Sequence, residues 1–479
     1  GTKVAEGMHI ITNSKEVENC RKAVIEFLLL NHPLDCPICD KAGECKLQEY
    51  AHKYGNAESR FVENKNVKPK RVEVAGKIIM DSERCIECSR CIRFCREFIG
   101  RDIFGFTKRG SKTEISVYPG GDNDSNYLLN VVDGCPVGAL TEKAFRFQMR
   151  TWFLKATKSI CAESSAGVNT RVWSREGKIY RITPRRNQAV NETWMSDSGR
   201  YIYRRFEPKN RLSVPRIDSS PCELQYAVDR CMEIMKLGNI AIVANAWQTV
   251  EEQFVIAELA KACGAKVHMV SHLGDDDGKL VSADRTPNMR GAFVTGLIKE
   301  YPKPDLRELA ESVRAGEVKT VLCFRENIAE LGFEPKDFKS ANIIYCGALE
   351  NSTSQIAKIC IPMRGEFEKY GMWINRQFRI QRFEKAVEAP KGTISDISFL
   401  LTVLREISRQ SFAMPSIMEV RRRMCAEIPA LKGCENVGDE GKLIDASDFA
   451  GIDFPETDAM HYTKGIPRAA AQGGGSETK

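Results

Sequence analysis

Eight side chains between residues 32 and 135 carry the chemistry available to this chain. His32, Cys36, Cys39 and Cys45 follow the spacing H-x3-C-x2-C-x5-C, in the stretch NHPLDCPICDKAGEC. Cys85, Cys88 and Cys91 form C-x2-C-x2-C, and Cys135-Pro136 follows more than forty residues later. A [4Fe–4S] cube takes four soft donors at the corners of a tetrahedron, and thiolates are its usual ligands. A C-x2-C-x2-C loop can wrap three corners while its backbone N–H groups face the sulfides, which leaves the fourth corner to a distant residue. Cys135 suits that corner, because Pro136 fixes the local backbone and brings no competing N–H. We therefore assign Cys85, Cys88, Cys91 and Cys135 to one cluster. Cys95 stands at the x3 position of the bacterial ferredoxin run, but Arg96 replaces the expected proline, so Cys95 is left out. The alternative for the thiol run is a zinc knuckle, and for the first group a zinc site of three cysteines and one histidine. Zinc usually takes two separated pairs, and two cluster-like motifs this close together favour iron. His32 in place of a thiolate removes a negative charge, which is expected to raise the potential of that cluster, as histidine does in Rieske centres.

These motifs, with RCIECSRCIRFCRE and CPVGAL, resemble the large iron–sulfur subunit (the G or 75-kDa type) of proton-pumping NADH:quinone oxidoreductase, respiratory complex I. The match in order and spacing covers residues 1 to about 145. The resemblance implies two [4Fe–4S] clusters, one on His32, Cys36, Cys39 and Cys45 and one on Cys85, Cys88, Cys91 and Cys135. It implies an electron relay from the NADH/flavin side toward quinone, with no substrate site in this chain. The implied partners are the flavin/NADH-binding subunit, the small [2Fe–2S] subunit and the quinone-proximal iron–sulfur subunits. The implied location is peripheral, on the cytoplasmic side of the inner membrane, or the matrix side if organellar. The His-x3-Cys motif is shared with subunits of NAD-linked hydrogenase and formate dehydrogenase, so a diaphorase-type subunit of such an enzyme is the alternative. The family's N-terminal [2Fe–2S] domain would end just before GTKVAEGM, and no C-x10-C-x2-C series precedes Cys36. The expectation is that these residues bind no [2Fe–2S] cluster.

The elements that must position the eight donors can be read in part. Ser14 is expected to cap a helix with Val17, Cys20, Val24, Phe27 and Leu28 on one buried face, ended by Asn31-His32-Pro33. A second helix is expected over 43–54, with Cys45 at its start, where a helix N-terminus favours thiolate charge. Hairpins are expected over 71–80, turning at Gly76, and over 104–118, turning at 109–111.

Beyond residue 150 the signals change. ICAESSAGVN resembles the loop that opens the iron–sulfur domain of molybdopterin oxidoreductases, where many bacterial members of the complex I family hold a further cluster. Here Cys161 keeps the first position, Ser164 and Val168 take the next two, and Ser196 stands where the fourth cysteine would be. One thiol cannot hold a cube, so a degenerate, metal-free site is expected. Residues 151–216 carry 14 Lys and Arg against 5 Asp and Glu, in a chain of net charge only +7. No recognition motif accompanies them, so a face for acidic subunits or a relic of a phosphate-rich cofactor site is expected, and nucleic acid is not. From Gly238, strands alternate with helices, as in an open α/β layer with a parallel sheet. The segment 351–381 resembles molybdopterin oxidoreductases, yet no molybdenum-ligand motif, G-x-G-x-x-G or Walker A is found, and no molybdopterin is expected.

The expected fold class is α/β and α+β multidomain. Residues 1–69 hold the His-plus-three-Cys segment and 70–150 a small ferredoxin-like domain. Residues 151–215 form a small β-rich degenerate domain, and 216–390 a molybdopterin-oxidoreductase-like open α/β domain. Residues 391–479 form helices (394–410, 415–428) and an extended or disordered tail. The longest apolar run, residues 23–30, is far too short to span a membrane.

Overall fold

The computed structural model describes residues 2–56, 58–120, 123–408 and 416–456. The tail from 457 onward lies outside the described residues. The chain forms two compact units, Gly1–Leu154 and Lys155–Lys479, so the segments expected at 1–69 and 70–150 share the first.

In the first unit, α1 (Lys15–Leu29) starts at Ser14, whose Oγ accepts from the Val17 N–H at 3.3 Å. Its last carbonyls are closed by a cation: Lys65 Nζ donates to the Leu29 and Leu30 oxygens at 2.9 and 2.7 Å. A lysine there satisfies orphan acceptors and complements the helix dipole. Asn31 Oδ1 accepts from the Asn66 N–H at 3.1 Å, so the chain leaves α1 on a fixed course into His32.

The expected buried face of α1 is wrong by a rotation. Cys20 is exposed, as are Val24 and Phe27, and the face turned inward carries Ile25, Leu28 and Leu29. What packs against α1 decides between its two overlapping apolar stripes. α2 (Lys46–Tyr54) lies against α1, and Leu47, Val137 and Ala139 complete a small core with Ile25. α2 begins three residues later than the spacing suggested, with Cys45 as its N-cap.

β1 (Val72–Val74) and β2 (Ile78–Met80) form the hairpin around Gly76, whose φ of +68° suits glycine. α3 (Arg90–Phe94) carries Cys91 and runs into a wider π turn, Cys95–Ile99. β3 (Phe104–Thr107) pairs with β4 (Glu114–Val117). α4 (Asn130–Gly134) delivers Cys135, and β5 (Leu140–Glu142) returns to pair with β2. Each cysteine loop is thus held between two regular elements.

The second unit opens with an antiparallel sheet of β6 (Lys155–Ile160), β7 (Asn169–Arg175) and β8 (Lys178–Pro184), followed by α5 (Asp197–Tyr201). Two short strands, β9 (Arg216–Ile217) and β10 (Ser220–Pro221), precede α6 (Leu224–Met235) and β11 (Ile240–Val243). α7 (Val250–Cys263) has a capping box: Thr249 Oγ1 accepts from the Glu252 N–H, and Glu252 accepts from the Thr249 N–H. Then come β12 (Lys266–His268), α8 (Met289–Val294), α9 (Arg307–Arg314), β13 (Thr320–Phe324), α10 (Asp337–Ser340) and β14 (Asn342–Gly347). α11 (Ser352–Ile356) leads to β15 (Ile359–Pro362). The strand order is β10-β9-β15-β14-β13-β11-β12, and β11 to β15 are mutually parallel. The near-continuous apolar strands follow, since a parallel sheet buries both faces.

β16 (Gly371–Ile374) and β17 (Arg379–Phe383) form a separate sheet with β18 (Lys442–Leu443). α12 (Asp396–Ser408) and α13 (Ile417–Glu427) cover α7. Both lie where helical stretches were expected. No helix among the described residues is long and apolar enough to cross a membrane.

Candidate metal centres

Cys85, Cys88, Cys91 and Cys135 line one cavity. Met80, Ile115, Val137 and Leu140 form its apolar wall. The loop that supplies three of the sulfurs is unusual: Glu87 and Ser89 both have positive φ, +57° and +60°. Left-handed residues at alternate positions turn successive N–H groups toward one side, the geometry of an anion nest. The Glu87 N–H donates to Cys85 Sγ at 3.4 Å.

Burial, helped by the neighbouring sulfurs, pushes the Cys85 thiol up to about 11 and the Cys91 thiol up to about 12. Cys135 is raised chiefly by burial, while the backbone N–H groups of Val137 and Leu140 act in the opposite direction. Thiolates in an apolar pocket repel one another, so the polypeptide alone favours Cys85, Cys91 and Cys135 as neutral thiols. A bound cation reverses that, because a coordinating thiol is deprotonated by the metal's own charge.

The first group is built around a turn. The Cys39 N–H donates to the Cys36 carbonyl at 3.2 Å, and Cys45 caps α2. Cys39 and Cys45 are buried. The Cys39 thiol is raised mainly by burial, with Cys45 close enough to add to the shift. His32 is held below its ordinary value, first by burial. Its ring is therefore neutral near pH 7, the ligating form. Its Nδ1 is buried and finds no hydrogen-bond partner among the described residues. A buried polar atom left unpaired costs about 1–3 kcal/mol, so this nitrogen is held for something the polypeptide does not supply. Among the described residues no three His, Cys, Asp or Glu side chains converge closely enough to share a single ion.

The two groups meet at Gly138. A Cβ there would collide with Cys39 Sγ and would sit 3.3 Å from Lys41 Cβ and 3.5 Å from Arg84 Cδ. The Lys46 N–H also donates to the Pro136 carbonyl at 3.1 Å. Arg150 donates to the Cys39 and Pro37 carbonyls, and Lys41 Nζ donates to the Val132 carbonyl at 3.3 Å. These supports, together with Gly138, Arg84 and Asp35, were not read from the sequence. Arg84 and Asp35 each precede a cysteine of a cluster motif, but nothing in the sequence says that two residues so far apart pair. Cys95 is wholly buried outside the cavity, and its thiol, raised to about 12 by burial, has Arg101 and Asp102 as its charged neighbours.

The third candidate place is Cys161. Burial pushes its thiol up to about 12. Ser196 stands beside it: a Cβ on Gly199 would lie 2.8 Å from both Cys161 Sγ and Ser196 Oγ. Ser196 Oγ donates to Glu163 Oε2 at 2.5 Å, and the Ser282 N–H donates to Ser164 Oγ at 3.2 Å. The Cys161 N–H donates to the Val168 carbonyl at 2.8 Å. Ser164 and Ser196 are thus both hydrogen-bonded within the polypeptide.

Three family models match separate stretches. Residues 21–60 match the "NADH-ubiquinone oxidoreductase-G iron-sulfur binding region" and residues 76–141 the "NADH-quinone oxidoreductase subunit 3, ferredoxin-like domain". Residues 154–204 match the "NADH-ubiquinone oxidoreductase NDSU1/NuoG-like, 4Fe-4S domain", although Cys161 is the sole cysteine within them. The chain is 37% identical over 303 residues to the G subunit of NADH-quinone oxidoreductase from Rickettsia conorii, covering 62% of this chain and 44% of the relative. It is 35% identical over 336 residues to the same protein of Rickettsia felis, covering 66% and 49%. It is 38% identical over 289 residues to the NADH-ubiquinone oxidoreductase 75 kDa subunit of Reclinomonas americana, covering 57% and 41%. The chain thus matches a little under half the length of these relatives. Among solved structures, an NAD+-reducing [NiFe]-hydrogenase aligns with a TM-score of 0.27 at 24% identity, covering 31% of this chain and 64% of that one.

Proposed function

We propose that the chain is a member of the family of the NADH-quinone oxidoreductase G subunit, the 75 kDa iron–sulfur subunit, and that it relays electrons from an NADH-oxidising flavin module toward quinone through two [4Fe–4S] clusters. The observation that carries the reading is the convergence of Cys85, Cys88, Cys91 and Cys135 on one apolar cavity. His32, Cys36, Cys39 and Cys45 hold the other cluster, with the orphaned His32 Nδ1 as the non-thiolate donor. When bound, the clusters supply one-electron carriers whose potentials depend on ligand charge, hydrogen bonds to sulfur and burial.

This chain's residues do the rest. The N–H groups of Glu87, Val137 and Leu140 direct positive dipole ends at the ligand sulfurs. Met80, Ile115, Val137 and Leu140 exclude water from the second site. Gly138, by lacking a side chain, lets Cys39 nest against the Cys135 loop, which shortens the path between the two sites.

The parallel-sheet domain is read as molybdopterin-oxidoreductase-like in fold, without the cofactor. Taking β12, β11, β13, β14 and β15 in spatial order, the β11-first connectivity is 2-1-3-4-5, a doubly wound arrangement. The chain is peripheral, docked among the flavin, small [2Fe–2S] and quinone-proximal subunits, on the cytoplasmic or matrix side. The test is Cys91→Ser in the native assembly. Electron transfer from NADH to quinone is expected to be lost while NADH oxidation by an artificial acceptor at the flavin persists. Undiminished quinone reduction by an intact assembly would refute the relay.

A further inference from the structure

A buried ion pair joins the two cysteine loops. Arg84 immediately precedes Cys85, and Asp35 immediately precedes Cys36. Arg84 Nε lies 3.1 Å from both Asp35 oxygens, and a terminal guanidinium nitrogen also donates to Asp35 Oδ2. Asp81 adds a second carboxylate at 3.4 Å. The Arg84 side chain is only 4% exposed. Its backbone belongs to the second loop, while its side chain crosses to Asp35 of the first; Arg84 Cδ and Cys39 Sγ both border Gly138, and the guanidinium acts electrostatically on the Cys39 thiol. The cation is thus sequestered from solvent between the sites, on the His32 side.

Resting on the proposed electron relay, we infer that the Arg84–Asp35 pair sets the reduction potential of the His32 cluster. Reduction adds one negative charge to a cluster. A fixed cation beside it, in a region water cannot screen, stabilises the reduced form and raises the potential. The Asp35 carboxylate acts in the opposite direction. The pair therefore has two levers of opposite sign, which a purely mechanical tether between loops would not have.

The test is an EPR-monitored redox titration of the full chain, prepared anaerobically, with iron determined on each sample. The His32 cluster's signal is identified by its loss in Cys36→Ser. Arg84→Gln is expected to lower that cluster's midpoint potential, Asp35→Asn to raise it, and Arg84→Lys, which keeps the charge but not the fork, to leave it near the wild-type value. Both substitutions moving the potential in one direction, or neither moving it, in chains that keep their iron, overturns the inference. Should Arg84→Gln lose its iron, Asp35→Asn decides alone: an upward shift supports the inference, and no shift or a downward one overturns it. Loss of iron in both variants assigns a mechanical tether and overturns it as well. An iron-free wild-type chain defeats the relay reading and this inference together, whereas a fully loaded wild type with insensitive variants defeats this inference alone.

Discussion

His32 is the residue whose chemistry departs most from an all-thiolate site. As the proposed non-thiolate ligand, its neutral ring would remove one negative charge from the ligand set, so His32→Cys is expected to keep the iron content near its original value and lower that cluster's potential. A redox titration showing no change would count against ligation. Gly138 makes a second case. Gly138→Ala puts a methyl group into the Cys39 sulfur, and overpacking of this kind costs about 1–3 kcal/mol. Loss of the first cluster's iron and a lower unfolding midpoint are expected, with the second cluster's signal retained. Cys161→Ala should leave iron per chain unchanged, because Ser164, Val168 and Ser196 offer no further thiols. At this scale the sequence spoke clearly where chemistry demands spacing. The triple thiol run and the distant Cys135 do share a cavity, and Ser196 does lie beside Cys161. Gly138, Arg84 and Asp35 were silent, since each matters through a partner distant in sequence.

Among the elements, local signals and tertiary choices separate cleanly. Ser14 marks a helix start that the structure keeps. The buried face of α1 was misread, because Val24 and Phe27 advertise an apolar stripe that nothing in the described chain covers. The sheet of β16, β17 and β18 went unread, since its third strand has only two residues and pairs at long range. One element junction has a measurable cost. Asp396, the first residue of α12, accepts from Arg325 at 2.7 and 2.9 Å and lies 3.6 Å from Lys369, all three buried or nearly so. Asp396→Ala strands a buried guanidinium, so a loss of about 3–5 kcal/mol in denaturant unfolding is expected. A change within experimental error would show that water reaches this junction.

For the whole molecule, eighteen cysteines and a modest net charge say little until they are placed. Several thiols, Cys323 and Cys346 among them, are wholly buried in strands, where cysteine acts as a small apolar side chain. Stability should also depend on pH through Asp284. Thr286 donates its N–H and Oγ1 to Asp284 Oδ1 at 2.9 and 2.6 Å, while Oδ2 is buried and finds no partner among the described residues. Burial pushes this carboxyl up to about 7, with Glu456 adding to the rise and Arg290 opposing it. Between the unfolded value of about 4 and this one, the folded chain keeps a proton that the unfolded chain releases. Its contribution to stability therefore falls as pH rises from about 4 to 7. Asp284→Asn should flatten that limb in urea titrations across the range; an unchanged slope would contradict the assignment. The most direct measurement of the central claim is iron and zinc on the chain prepared without oxygen, read together with its EPR spectrum after reduction. Two cubes require about eight iron atoms per chain and two reducible signals; a folded, colourless chain holding stoichiometric zinc and no iron would contradict it.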